Sequence, residues 1–170
     1  MKKLLLLSAI ALVAIGVRAQ QGDKSQRPSP PAKVSETTSK GVMISIDYSQ
    51  PAVKGRTIGT DIAPYGKIWR TGANESTVFV VSKDVKVDGK ALPGGTYSLW
   101  SIPGKDEWTI IFNKNSKNWG TKYPEGEDAL RINVKPGKAP SFTERMTFTV
   151  DKSGKVSLLW GNEDVSFKVQ

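Results

Sequence analysis

The sequence predicts an all-β fold, a single-domain antiparallel β-sandwich with a jelly-roll-like or barrel-like closure as the alternative. Three observations lead there. Apolar residues beyond position 40 recur with a period of two rather than 3.6. They fall into about nine short runs at a spacing of roughly 8–12 residues, most of them separated by a Gly, Pro, Asp or Asn turn signal. No longer window carries an amphipathic helical stripe. A length of 170 residues allows one domain, large enough to hold a core without disulfides or metals.

The elements follow in order. Residues 1–19 read as a signal peptide: Lys2 and Lys3 open it, Leu4 to Val17 is almost wholly apolar, and Val17-Arg18-Ala19 suits a signal peptidase. The apolar run is shorter than the roughly 20 residues of a membrane span, so cleavage after Ala19 and no membrane insertion thereafter are expected. Residues 20–33, with Pro28, Pro30 and Pro31 and almost no apolar side chain, are expected to form a disordered Pro-rich arm. The folded domain is then 34–170. Val42, Ile44 and Ile46 alternate with polar neighbours in a half-buried strand, and Ser76 to Ser82 is a β-branched run suited to a central one. Asp88-Gly89 turns a short hairpin. Leu92-Pro-Gly-Gly95 leads into a strand over 96–102, and Trp108 to Asn113 forms the next. Residues 119–128 read as a long loop, followed by alternation at Leu130, Ile132 and Val134. Met146, Phe148 and Val150, then Val156, Leu158 and Trp160 across the Asp151–Gly154 turn, and finally Val165, Phe167 and Val169 after Gly161-Asn162 complete the set. By alternation Trp108 and Trp160 face the core, while Trp100 and Trp119 are partly exposed.

Composition excludes several chemistries. There is no His and no Cys, hence no Ser-His-Asp triad, no Cys-His dyad and no imidazole or thiolate metal site. No metal and no cofactor is expected. Phosphate-cradling glycine motifs are absent, and Asp84, Asp88 and Gly89 imitate a calcium loop whose twelfth position is Gly95 rather than an acid. Loss of Lys2, Lys3 and Arg18 with the signal peptide lowers the formal charge by three, from +9 to +6. What remains is dispersed, so no nucleic-acid partner is expected. Carboxylates are the one route left to acid–base catalysis: Glu125, Glu127 and Asp128; Asp106 and Glu107; Glu163 and Asp164. Adjacent acids in turn-like sequence are usually solvated, and no residue is assigned as catalytic.

The segment from Pro64 to Thr77 concentrates aromatic, cationic, amide and acidic groups. Arg70 and Glu75 are close enough in sequence to pair, with Trp69 free to stack. Two readings stay open. The pair closes a buried loop while Trp69 fills the core, or the segment contacts a ligand through Tyr65, Trp69, Arg70, Asn74 and Glu75, with Trp100 beside them.

At this motif the sequence resembles DUF2911, a bacterial family of unknown function. The resemblance rests on RPSPPA (27–32), IDYSQPAVKGR (46–56), PYGKIWRTGANEST (64–77), LPGGTYSLWSIPG (92–104) and EWTIIFNKNSKNWG (107–120). It implies an exported single-domain protein and no established activity or catalytic residues. The expectation is therefore a periplasmic or extracellular, non-enzymatic binding or accessory module of the envelope, recognising a glycan, peptide or other small ligand. The alternative is an exported, glycosidase-like hydrolase using two carboxylates.

Overall fold

The computed structural model describes residues 23–117 and 119–170; the expected signal peptide lies outside the described residues. A 3-10 turn at Lys24–Gln26 precedes ten strands: β1 (Pro31–Thr37), β2 (Met43–Ser49), β3 (Thr77–Val81), β4 (Val85–Val87), β5 (Lys90–Leu92), β6 (Gly95–Ile102), β7 (Trp108–Asn113), β8 (Asp128–Val134), β9 (Gly137–Val150) and β10 (Lys155–Lys168). The first layer is a six-stranded antiparallel sheet in the order β1-β2-β3-β6-β7-β8. Apart from the β4–β5 excursion it follows chain order, a meander rather than the double Greek key of a jelly roll.

The second layer is the long β9–β10 hairpin, extended by β4 and β5. Val87 bridges Val169, and Lys86 and Gln170 exchange backbone hydrogen bonds of 2.7 and 2.8 Å. The period-two pattern explains the layering. Ile46, Phe79 and Tyr97 are cross-strand partners on one face, as are Ile110 and Ile132. That face meets Met146, Phe148, Leu158, Trp160 and Phe167. Removing each such side chain from water contributes about 1.5–3 kcal/mol. Phe79, Phe112 and Phe167 pack with centroids 5.0–6.2 Å apart, and the Tyr48 hydroxyl crosses between layers to accept from the Phe148 N–H at 3.0 Å. Trp108 and Trp160 are buried here as expected.

Three expectations need correction. The arm over 20–33 is ordered from residue 23 onward, and its last residues are strand: β1 begins at Pro31 and pairs with β2 from Pro31↔Ser49 to Thr37↔Met43. A polar strand escapes periodicity because an edge needs little apolar content; only Ala32 and Val34 pack against the core. Pro at its first position costs no ladder bond. Gly161-Asn162 does not interrupt β10 either: Gly161 has φ +58° and the register shifts on both sides of it, so the glycine makes a bulge inside one 14-residue strand.

Trp100 is the third. It is buried, on the outer face of the first layer, because the 114–127 connection folds back over that face. Tyr123 packs edge-on against it at 5.3 Å, and its indole N–H donates to the Ser98 hydroxyl at 2.9 Å. Trp119 is exposed, as expected.

Candidate functional site

The chain from 50 to 76 connects β2 to β3 without forming a strand. Connections beyond about 12–15 residues inside a compact domain are usually functional or disordered, and this one is tied down at many points. Val53 donates to the Glu144 carbonyl, Gly66 to that of Pro103, and Trp69 pairs with Ser101 in both directions at 2.8 Å. Trp69 enters the core, stacked on Trp160 at 5.3 Å and 12°. Thr71 follows, fully buried at φ +51°, a conformation a β-branched residue adopts only under constraint. The constraint is visible: its hydroxyl donates to Ser101 at 3.0 Å and its carbonyl accepts from the Thr77 hydroxyl at 2.8 Å.

The six residues singled out from sequence do not converge. Trp69 is a core residue and Trp100 lies under Tyr123 on the opposite face of the sheet. Arg70 and Glu75 are not paired. The Arg70 guanidinium donates to the Asn74 carbonyl at 3.2 Å, whereas Glu75 accepts two contacts from Arg27, at 3.0 Å each, and a third from Lys24 at 3.2 Å. Burial pushes the Glu75 carboxyl up, but these donors outweigh it and hold its pKa at about 2. Asn74 donates to the Ser29 carbonyl at 2.9 Å. Asn74 and Glu75 thus serve the seam between the connection and the ordered arm, and Arg70 ties the connection to itself. Tyr65 stands apart, more than a third exposed, its ring so close over Gly59 that a Cβ there would overlap it.

Tyr65 opens onto a cleft of about 380 Å³ between the connection and the β10 bulge, lined also by Arg56, Ile58, Phe142, Asn162 and Glu163. The bulge makes the cleft. Gly161 lets β10 pass close beneath the connection, where a Cβ would come within 3.1 Å of Ile58. Phe142 is another exposed large apolar side chain. Glu163 is half-buried, its Oε2 is shielded from solvent and accepts no hydrogen bond, and burial pushes its carboxyl above the usual carboxylate range. Tyr65 is also raised, by burial first and then by the charges of Glu163 and Asp106. The Arg56 guanidinium does not pair with the acid: Nη2 donates to the Ala52 carbonyl at 2.6 Å and Nε to that of Val53 at 3.1 Å.

Of these residues sequence reading had singled out Tyr65 for binding and Glu163 only among solvated acids. The signal it missed is Gly161 within an otherwise strand-forming run, which marks a bulge or a close backbone approach. A larger groove, about 830 Å³, runs along Ile68, Asn115, residues 121–125 and Glu127. It contains Glu125 and Glu127, both on the exposed loop. Among the described residues no group of three or more acids is placed to hold a metal ion, and no helix is long and apolar enough to cross a membrane.

A family model described as a protein of unknown function, DUF2911, fits residues 29–169. No curated protein and no solved structure matches the chain.

Proposed function

Because the chain belongs to the DUF2911 family, whose function is unknown, we propose its role from its own surface: an exported, non-enzymatic binding module that holds a small organic group in the Tyr65–Phe142–Glu163 cleft. Export rests on the N-terminal pattern of Met1 to Ala19. The observation that carries the binding reading is Glu163, a half-buried carboxyl with an unsatisfied oxygen, facing a cleft with two exposed aromatic rings. Native proteins leave few such groups, and a perturbed carboxyl in a cleft is a usual mark of a ligand site. Rings of Tyr and Phe offer flat faces to a sugar or a side chain, while Asn162 and Glu163 offer directional hydrogen bonds.

Binding is favoured over hydrolysis because one carboxyl lines this cleft, whereas glycoside hydrolysis uses two across the scissile bond. The test is a set of NMR titrations of the mature protein with methyl glycosides, cello- and chito-disaccharides and blocked dipeptides. At least one probe is expected to shift the resonances of Tyr65, Phe142 and Glu163 together, and Tyr65→Ala with Phe142→Ala to remove the effect while the melting temperature stays within a few degrees. Shifts confined to other surfaces would overturn the site.

A further inference from the structure

We propose that the cleft recognises an organic ammonium group, such as the side chain of a lysine in a peptide, with Glu163 as its counter-ion and Tyr65 and Phe142 as its aromatic walls. This rests on the reading of the cleft as the binding site.

The inference starts from how the chain treats its acids. Six carboxyls among the described residues are neither buried nor exposed but half-covered. Four accept a hydrogen bond: Glu36 from the Thr37 N–H, Asp47 from Lys33, Glu75 from Arg27 and Asp128 from Tyr123. Asp164 leaves its buried Oδ1 without a hydrogen bond but is paired with Lys155 at 3.5 Å. Glu163 has neither a hydrogen bond nor an ion pair. Burial is the whole cause of its perturbation, with no hydrogen bond or charge set against it. A buried acceptor without a partner costs about 1–3 kcal/mol, so the position is unfavourable for the free protein and becomes favourable once a donor arrives.

The cleft also selects the donor. A neutral hydroxyl satisfies a hydrogen bond but does not offset the desolvation of an ionised carboxylate. A cation stabilises the ionised form and in addition interacts with the faces of Tyr65 and Phe142. Both rings stand more than a third exposed at the rim, where a methylene stem would lie against them and Ile58. The chain's own cations leave the role open. Arg56, the cation that lines the cleft, donates Nε and Nη2 to two backbone carbonyls and forms no ion pair with Glu163. Lys138, opposite Glu163 across the hairpin, is exposed and forms no ion pair with it. Lys155 is engaged with Asp164, and the remaining charge near the site, Asp106, acts on Tyr65 and adds to the negative field.

Binding of the cation therefore competes with protonation of Glu163. Below the raised pKa of Glu163 the cation competes with the proton for one carboxyl; above it the site is ready. Affinity for the ammonium rises with pH, and the rise belongs to Glu163.

The experiment uses the mature protein and two probes, Nα-acetyl-lysine amide and its uncharged analogue Nα-acetyl-norleucine amide, titrated by NMR and calorimetry at pH 4.5 and pH 8. The lysine probe is expected to shift Tyr65, Phe142 and Glu163, to bind at least fivefold tighter at pH 8, and to release protons at the lower pH. Glu163→Gln is expected to weaken it at least tenfold at pH 8 and abolish the pH dependence. Lys138→Ala should leave binding intact or strengthen it. Equal affinity for the two probes, or a pH dependence that survives Glu163→Gln, overturns the inference but leaves the cleft standing as a site for neutral ligands. Absence of any shift at the cleft with either probe, or with the glycosides and dipeptides above, overturns both.

Discussion

At the scale of single residues, Glu75 shows how far sequence proximity misleads. Arg70 is five positions away and Arg27 forty-eight, yet the carboxylate takes the distant arginine at 3.0 Å. Arg70 is held by the carbonyl of Asn74, which itself sits at φ +57°. No pattern in the chain encodes this choice, because it depends on where the arm docks. Its consequence for stability has a definite sign. The folded-state pKa of Glu75, about 2, lies below its ordinary value of 4.5, so the folded state favours the ionised form. The stabilisation is present above pH 4.5 and is lost as the pH falls towards 2. Its side chain is about a third exposed, so screening reduces the effect to about 1 kcal/mol. Glu75→Gln should lower the urea stability by that amount at pH 7 and leave it unchanged at pH 2. Equal losses at both pH values would show that the side chain acts through packing instead.

At the scale of elements, the strongly alternating strands were legible and the polar or irregular ones were not. β2, β3, β6, β7 and the inner parts of β9 and β10 carry the apolar residues that meet in the core, and period two finds them. β1 was hidden by its polar edge character. The outer half of β9, with Pro140 and exposed Phe142, shows no alternation because only Ala139 there is buried. The bulge of β10 depends on one residue. Gly161 sits at φ +58°, and an added Cβ would crowd Ile58 at 3.1 Å. Gly161→Ala is expected to destabilise the fold by about 1–2 kcal/mol through the strained backbone and the forced shift of Ile58. It should also perturb Tyr65 and Glu163 in amide spectra while the turn at Asp151–Gly154 is unmoved. A substitution without cost would mean that the strand passes the connection with room to spare.

At the scale of the molecule, the arm and the β2–β3 connection together close one end of the two layers. Arg145 of β9 donates to the Pro28 carbonyl at 3.0 Å, Gln50 to that of Pro30 at 2.9 Å, and Asn74 to that of Ser29 at 2.9 Å. The arm thus fastens the second layer to the first through groups that sequence composition assigns to solvent. Polar residues are read as disordered when they cannot bury enough surface to order themselves, but here the donors come from elsewhere in the fold. A mature chain beginning at Pro31 loses these bonds and the partner of Glu75. At about 0.5–1.5 kcal/mol per hydrogen bond, partly offset by the entropy of a freed segment, it should be less stable by about 2 kcal/mol. Urea titration should show a lower midpoint and an unchanged slope; an unchanged midpoint would mean that the arm is fastened without strengthening the whole.

Trp69 gives the same closure an optical signature. Its ring lies parallel to that of Trp160 in the second layer and edge-on to that of Trp108 in the first, with centroids 5.3 and 6.2 Å apart. Chromophores at that separation share their excited states, so the three indoles absorb circularly polarised light as a coupled set rather than singly. Trp119, out in solvent, emits on its own and at longer wavelength. The coupled signal therefore reports on how the layers meet, and the solitary emission on the loop outside. A separation of the layers that leaves each strand pair intact extinguishes the first while the backbone spectrum hardly changes.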